Sequence, residues 1–238
     1  MKIALLGYGK MGKEIEKTAL ERNHQIVLVI DEFDLEDLTT DNLKKADVAI
    51  DFSTPGSAYQ NIMKCFEAGV PVVSGTTGWL ERLNEVKERC KQQGNAFFHA
   101  TNFSLGVNIF FALNRNLARI MDSMQDYDVS IKEIHHIHKL DAPSGTAISL
   151  ANDLIACLGR KEKWELNQHS DHMVIPITAI REDEIPGTHR VTWDSSMDKI
   201  ELSHEAKSRK GFALGAVLAA EFIRDKKGVY SMQDLIRL

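Results

Sequence analysis

The segment that most limits the fold is Gly7-Tyr8-Gly9-Lys10-Met11-Gly12, because of what flanks it. Lys2–Leu6 before it is a short, strand-prone apolar run. After it, Ile15, Ala19 and Leu20 recur at helical spacing through about residue 22. Ile26–Ile30 is a second continuous apolar run, as a strand buried on both faces requires, and it ends at Asp31, 19 residues past Gly12. Strand, glycine loop, helix, strand and acid in that order form the fingerprint of a dinucleotide site. Gly7 permits the tight turn, Gly9 lets a pyrophosphate approach the backbone, and Gly12 lets helix and strand pack closely. The free N–H groups that open the helix face the phosphates, and Asp31 accepts hydrogen bonds from the adenosine ribose. Tyr8, Lys10 and Met11 complete the loop as cofactor-binding candidates. Glu32 and Phe33 follow Asp31, with no Arg or Lys to receive a 2′-phosphate. The expectation is therefore NADH as the preferred cofactor, with Lys10 the nearby cation that keeps NADPH admissible.

The alternation continues through the next seventy residues. Asp47–Phe52, Val70–Ser74 and Ala96–His99 read as strands, with helices through about Ala68 and Gln92 between them. Repeated β-α-β units predict a Rossmann-like, doubly wound parallel sheet with ligands at its carboxyl edge. Two loops at that edge are rich in hydroxyls and glycine, Ser53-Thr54-Pro55-Gly56 and Gly75-Thr76-Thr77-Gly78. Such loops also serve simply as helix caps. The acidic stretch 31–41 reads as a solvated loop apart from Asp31.

From Leu105 the pattern changes. Apolar residues at 105, 109, 113, 117, 120 and 121 predict a helix of about four turns. Tyr127, Val129 and Ile131 then alternate with polar residues as in a strand with one wet face. A helix over about 146–158 follows. Runs at 174–180, 188–193 and 199–206 predict a mostly antiparallel sheet, and 212–223 predicts a strongly apolar helix. The expected fold is α/β: a dinucleotide-binding domain over 1–104, with 210–238 packing back on it, and an α+β domain over 105–209 for substrate and oligomerisation.

Composition excludes several classes. With 238 residues, a net charge of −5, 43% hydrophobic and 26% charged residues, the chain has the makeup of a globular protein. It carries no long basic run for nucleic acid and no apolar run of membrane-spanning length, and its start lacks a signal-peptide core. Cys65, Cys90 and Cys157 are odd in number and widely spaced, which fits a reduced, cytoplasmic thiol inventory.

The densest chemistry lies at 135–146. His135, His136, His138 and Lys139 sit at a strand end, just before a helix opened by Ser144-Gly145-Thr146. No HExxH frame or nearby cysteine supports a metal, so none is expected. An anion site fits better: the helix start accepts a carboxylate, His136 and Lys139 hold another anionic group, and His135 is suited to proton donation near neutral pH. The expected substrate is a small dicarboxylate. His99, His169, His172, His189 and His204 read as structural or solvated, and the three tryptophans are too scattered for a stacking platform.

His135-His136-Ile137-His138-Lys139 followed by Asp141-Ala142-Pro143-Ser144-Gly145-Thr146 resembles the signature of the 4-hydroxy-tetrahydrodipicolinate (dihydrodipicolinate) reductases of diaminopimelate and lysine biosynthesis. GYGKMG, GTTG at 75–78, ATNFSLGVN at 100–108 and SR at 208–209 extend the resemblance along essentially the whole chain. The resemblance implies His135 as proton donor and Lys139 as second catalytic residue, with His136, Ser144, Gly145 and Thr146 clamping substrate carboxylates. It places Gly75, Thr76, Thr77, Ala100, Thr101, Asn102 and Phe103 near the nicotinamide and implies a homotetramer. The rival readings are a semialdehyde dehydrogenase, which leaves the histidines without a use, and an NAD(H)-binding sensor without turnover, which lacks a DNA-binding appendage.

Overall fold

The computed structural model describes residues 1–167 and 171–237, so His169 lies outside the described residues. In chain order the elements begin with β1 (Lys2–Leu6), α1 (Lys10–Glu21), β2 (Gln25–Ile30), α2 (Thr40–Leu43), β3 (Val48–Asp51), α3 (Pro55–Ala68), β4 (Val72–Ser74), α4 (Leu83–Gln93) and β5 (Ala96–His99). They continue with α5 (Leu105–Met121), β6 (Asp128–His135), α6 (Gly145–Cys157), β7 (Lys163–Leu166), β8 (Val174–Arg181), β9 (Thr188–Asp194) and β10 (Lys199–Glu205). The last are α7 (Lys210–Ile223), β11 (Gly228–Tyr230) and α8 (Met232–Ile236). Contacts divide the chain into one unit of residues 1–105 with 209–238 and a second of residues 106–208.

The first unit is built on a six-stranded sheet in the order β11-β5-β4-β3-β1-β2, with every pairing parallel. Successive residues of a strand point to opposite faces, so the unbroken apolar run of β1 feeds two cores. Ile3 and Leu5 pack with Ile15 and Ala19 of α1 and with Ala216, Val217 and Ala220 of α7. Ala4 and Leu6 pack on the other face with Ile62 and Phe66 of α3 and Val86 of α4. α7 lies close because Gly215 has no side chain; a Cβ there would fall 1.8 Å from the Phe103 carbonyl oxygen. β1 is flanked by β2 on one side and β3 on the other, so strand order reverses between β1 and β3. Ligand crevices open at such a reversal, outside the carboxyl ends of the strands. The acidic stretch is more ordered than a solvated loop, with a 3-10 turn at Leu35–Asp37 and α2 after it.

The second unit carries a five-stranded sheet in the order β10-β9-β6-β8-β7. β10–β9 and β9–β6 are antiparallel, whereas β6–β8 and β8–β7 are parallel. The sheet is thus mixed rather than mostly antiparallel. α6 makes β6 and β8 a crossover pair, and the short strand β7, which apolar patterning does not reveal, adds a further parallel pairing. α5 buries only part of its expected stripe: Met121 is buried and Leu105 and Leu117 pack against the cores. Val107, Phe110, Asn114, Ala118 and Met121 are buried, while Ile109, Leu113 and Ile120 are exposed. Among the described residues no helix is long and apolar enough to cross a membrane.

Candidate active site

Two groups of functional side chains take shape, one in each unit. In the first, Gly7 has φ +92°, and a Cβ on it would meet the Phe52 carbonyl oxygen at 2.3 Å; a Cβ on Gly12 would meet the Gly7 carbonyl oxygen at 2.3 Å. Both positions demand glycine, one for its backbone conformation and both for close approach. Gly9 is different. It caps α1 without a side-chain bond, no acid occupies the first turn, and a Cβ on it would have nothing within 4 Å. The start of α1 is therefore an open N–H cradle, which fits a dinucleotide's phosphates. Lys10 beside it is exposed, Met11 packs on the core, and the Tyr8 hydroxyl donates to the Glu16 carboxylate. Asp31 is half-buried in the wall of a cleft of about 250 Å³ that Gly7, Glu32, Ser53, Thr54 and Asn61 also line.

The floor of this edge is held by an acid that patterning alone does not single out. Asp51, the last residue of β3, is fully buried. It accepts from the hydroxyls of Ser53 (2.6 Å), Ser74 (2.9 Å) and Thr76 (2.9 Å) and from Asn61 Nδ2 (3.0 Å). Burial pushes its carboxyl above the ordinary range against the pull of those four donors. The Thr76 hydroxyl is thus engaged inside the fold, where it also accepts from the Ser53 N–H at 2.9 Å. A Cβ on Gly75 would strike the Phe52 ring at 2.2 Å. Phe103 is buried, with its ring 5.4 Å from Phe52 and 5.7 Å from Phe98. Ala100 is half-buried, Thr77 and Thr101 are exposed, and Asn102 Oδ1 accepts from the Ser104 N–H at 2.9 Å.

In the second unit, β6 buries alternate residues, so Glu133 and His135 share its inward face. Sheet register places His189 of β9 opposite Glu133 and Arg181 of β8 opposite His135. The fully buried Glu133 carboxylate collects all of them. Oε2 lies 3.1 Å from His135 Nδ1 and 3.8 Å from His189 Nε2. Oε1 accepts from the Arg181 guanidinium and from the Ser144 N–H, both at 3.0 Å. Burial opposes its charge, but the donors His135, Ser144 and Arg181 outweigh burial and bring the carboxyl down to about 2. Burial and the neighbouring His135 push His189 down to about 4, so its imidazole is neutral near pH 7. Glu133, His135 and His189 bring three ligand atoms within 4.8 Å of one another. With a guanidinium and an amide already on the carboxylate, the set matches a carboxylate–imidazole network better than a metal cage.

Around this network, Ser144 caps α6: its hydroxyl accepts from the Ala147 N–H at 3.2 Å and lies 3.1 Å from His189 Nε2. That leaves Gly145, exposed and with nothing within 4 Å of a would-be Cβ, and half-buried Thr146 at the helix start. His136 is half-buried with its ring 6.0 Å from that of His138, and exposed His138 pairs with Glu184 at 3.1 Å. Lys139 Nζ donates to both Asp141 oxygens, at 2.7 and 2.8 Å. Arg181 donates in turn to the carbonyl oxygens of Lys139 and Asp141, which ties down that loop. Sequence reading missed Asp51, Asn61, Glu133 and Arg181 as parts of these sites and treated His189 as merely structural or solvated. Glu133 does stand at the head of the E-x-H-H pattern, the one signal that pointed to it.

The profile for dihydrodipicolinate reductase, N-terminus, matches residues 1–103, and that for dihydrodipicolinate reductase, C-terminus, matches residues 106–236. The chain belongs to the dihydrodipicolinate reductase family. It is 52% identical over 236 residues to a 4-hydroxy-tetrahydrodipicolinate reductase of Christiangramia forsetii, covering 99% of this chain and 98% of that one. It is 40% identical over 199 residues to the enzyme of that name from Methanopyrus kandleri, covering 81% and 72%. A dipicolinate-bound dihydrodipicolinate reductase from Paenisporosarcina sp. TG-14 shares the fold, with a TM-score of 0.82 at 24% identity over 99% of both chains. The activity is accordingly that of the dihydrodipicolinate reductases, reduction of 4-hydroxy-tetrahydrodipicolinate with a nicotinamide cofactor in lysine and diaminopimelate biosynthesis.

Proposed function

We propose that the chain divides this reaction between its two units, the first holding NAD(P)H and the second the dicarboxylate substrate. The observation that carries the reading is the pairing, in one network, of buried His135 with the open helix start at Gly145 and Thr146. Loss of water from 4-hydroxy-tetrahydrodipicolinate leaves the conjugated imine dihydrodipicolinate, and the reduced nicotinamide, when bound, would supply a hydride to C4 of that ring. The loop of Gly7, Tyr8, Gly9, Lys10, Met11 and Gly12 receives the pyrophosphate, and Asp31 the ribose. Backbone and side chains of 75–77 and 100–103 line the nicotinamide end. On the substrate side, the N–H groups of Gly145 and Thr146 hold one carboxylate, and His136 the other. Ser144 contributes by keeping that turn capped.

As hydride arrives, negative charge develops through C3 towards the ring nitrogen. Lys139 stabilises that charge more in the transition state than in the ground state. His135, or a water that it orients, delivers the proton to C3. The carboxylate at Asp31, with Glu32 next to it, favours NADH over NADPH. The protein works in the cytoplasm as a homotetramer built through the second unit's sheet, without nucleic acid or membrane partners.

The test is NADH oxidation with enzymatically generated 4-hydroxy-tetrahydrodipicolinate, run in parallel with NADPH and followed at the reduced cofactor's near-ultraviolet band. Pyridine-2,6-dicarboxylate should stop the oxidation. His135→Ala and Lys139→Ala should each lower kcat by roughly 10²- to 10⁴-fold with the dissociation constant for NADH unchanged. Equal loss of NADH binding in both variants would overturn the assignment. Binding of NADH without oxidation would return the sensor.

A further inference from the structure

Glu133 cannot itself meet a substrate, because its carboxylate is sealed from solvent. It is nevertheless the point on which the second unit's chemistry converges. One oxygen faces His135 Nδ1 at 3.1 Å, and the other holds Arg181 and the first N–H of the α6 turn. A buried ion pair is weak evidence for stability, since removing charge from water offsets much of the attraction. What such a pair does well is fix geometry. The contact is close but not aligned as a hydrogen bond, and among the described residues neither buried atom has another hydrogen-bond partner; an acceptor that turns into line at Nδ1 selects the tautomer of a neutral imidazole that carries its proton there. On the Nε2 side the backbone of residue 187 packs close, and only glycine fits there: a Cβ would fall 2.9 Å from that nitrogen.

We propose that Glu133 is the positioning residue for His135, holding Nδ1 with one carboxylate oxygen while the other, through Arg181, steadies the loop that bears Lys139. The proposal rests on the reading of His135 as proton donor. The titratable and charged groups facing the network are His135 beside Glu133 on β6, Arg181 on β8, His189 on β9 and His204 on β10, with Lys139 and Asp141 in the loop after β6. Glu133 is the acid buried against His135. An anion beside the donor favours its protonated form, so loss of that anion lowers the pH at which the donor gives up its proton.

The experiment compares full-length wild type with Glu133→Gln, His135→Ala and the double variant. Glu133→Gln should lower kcat by about 10- to 100-fold, less than His135→Ala does, with KM for NADH within about twofold. The alkaline limb of its kcat/KM profile should move to lower pH by about one unit or more. Adding Glu133→Gln to His135→Ala should lower kcat by less than Glu133→Gln does alone, because residues acting through one another are not additive and only the share carried by the Lys139 loop is left. Histidine-labelled nitrogen spectra of the wild type should show neutral His135 protonated at Nδ1, a readout that stands even where the Gln variant fails to fold. An unmoved pH profile in folded Glu133→Gln, or a proton on Nε2, overturns the positioning role while His135→Ala still reports on the donor. Full turnover in His135→Ala overturns the donor reading instead.

Discussion

Asp51 and Glu133 are both fully buried acids at or near the end of a strand, one in each unit, and each gathers the loops around it. Their surroundings differ in a single respect that reverses their electrostatics. Asp51 is met only by neutral donors, three hydroxyls and an amide, so burial wins and its carboxyl titrates above the ordinary range. Glu133 is met by a guanidinium, an imidazole and a backbone N–H, so its donors win and its carboxyl falls to about 2. The first acid is a knot that shapes a cradle for an anion, where a further cation is not needed. The second is an anchor that must stay ionised to hold charged partners in place.

The comparison breaks most sharply on truncation. Glu133→Ala leaves the half-buried Arg181 without its counter-charge, and since losing one member of a fully buried pair costs about 3–5 kcal/mol, the loss should lie towards the lower end of that range. Asp51→Ala leaves donors without an acceptor, at about 1–3 kcal/mol for each one that cannot find another partner. Hydroxyls of Ser53, Ser74 and Thr76 can rotate, so the loss should be the smaller of the two. Isosteric amides sharpen the contrast: Asp51→Asn should be tolerated to within about 1 kcal/mol, whereas Glu133→Gln should cost more than that, because Arg181 keeps its charge. Urea midpoints of the four variants measure the ranking, and a larger loss in Asp51→Asn than in Glu133→Gln would overturn it.

The acid limb of stability is the next discriminant. Glu133 has a folded value near 2 against an ordinary 4.5, so the unfolded chain binds its proton first. Its contribution is complete above about pH 4.5 and is lost as pH falls towards 2. The shift corresponds to stability on the order of 3 kcal/mol. Asp51 acts with the opposite sign. Its folded value is raised above 3.8, so its ionisation lowers stability as pH rises through the window above that value. His189 and His99, which burial first of all brings down to about 4, are lost as partners of the fold earlier, as pH falls from 6.5 towards 4. Unfolding curves between pH 7 and 3 should therefore steepen for wild type in two stages. Glu133→Gln should flatten the lower stage, and Asp51→Asn should leave it.

These two acids also mark how far the sequence could be read. Alternating apolar runs and the glycine loop were enough for the parallel sheet, since a strand buried on both faces has to be continuously apolar. The short strands β7 and β11 carry too few residues for any period to register, and β7 is what helps turn the second sheet mixed. On α5, residues 109, 113 and 120 of the expected stripe are exposed while 105, 117 and 121 pack inward, because apolarity alone does not say which face of a helix finds a neighbour. In the sites, Gly7 and His135 were legible from local pattern. Arg181 and His189 were not, being 48 and 56 residues from Glu133 along the chain and joined to it only by strand register.

Within the glycine loop, Gly9 offers the smallest effect on the fold and the cleanest separation of fold from function, and Gly12 is its contrast. Gly12→Ala would press a methyl against the Gly7 carbonyl, at a separation no real Cβ adopts, so the turn must shift and both stability and NADH binding should fall. Gly9→Ala meets nothing within 4 Å and needs no unusual backbone, so the urea midpoint should stay within about 0.5 kcal/mol of wild type. The added methyl would nonetheless stand at the open start of α1, where the proposed site has the pyrophosphate approach. NADH affinity should therefore drop by about tenfold or more, near the 1.4 kcal/mol that such a factor represents. Fluorescence titration with NADH measures it directly. Unchanged affinity in a stable Gly9→Ala protein would mean that the phosphates are bound elsewhere, and the cradle at α1 would lose its role.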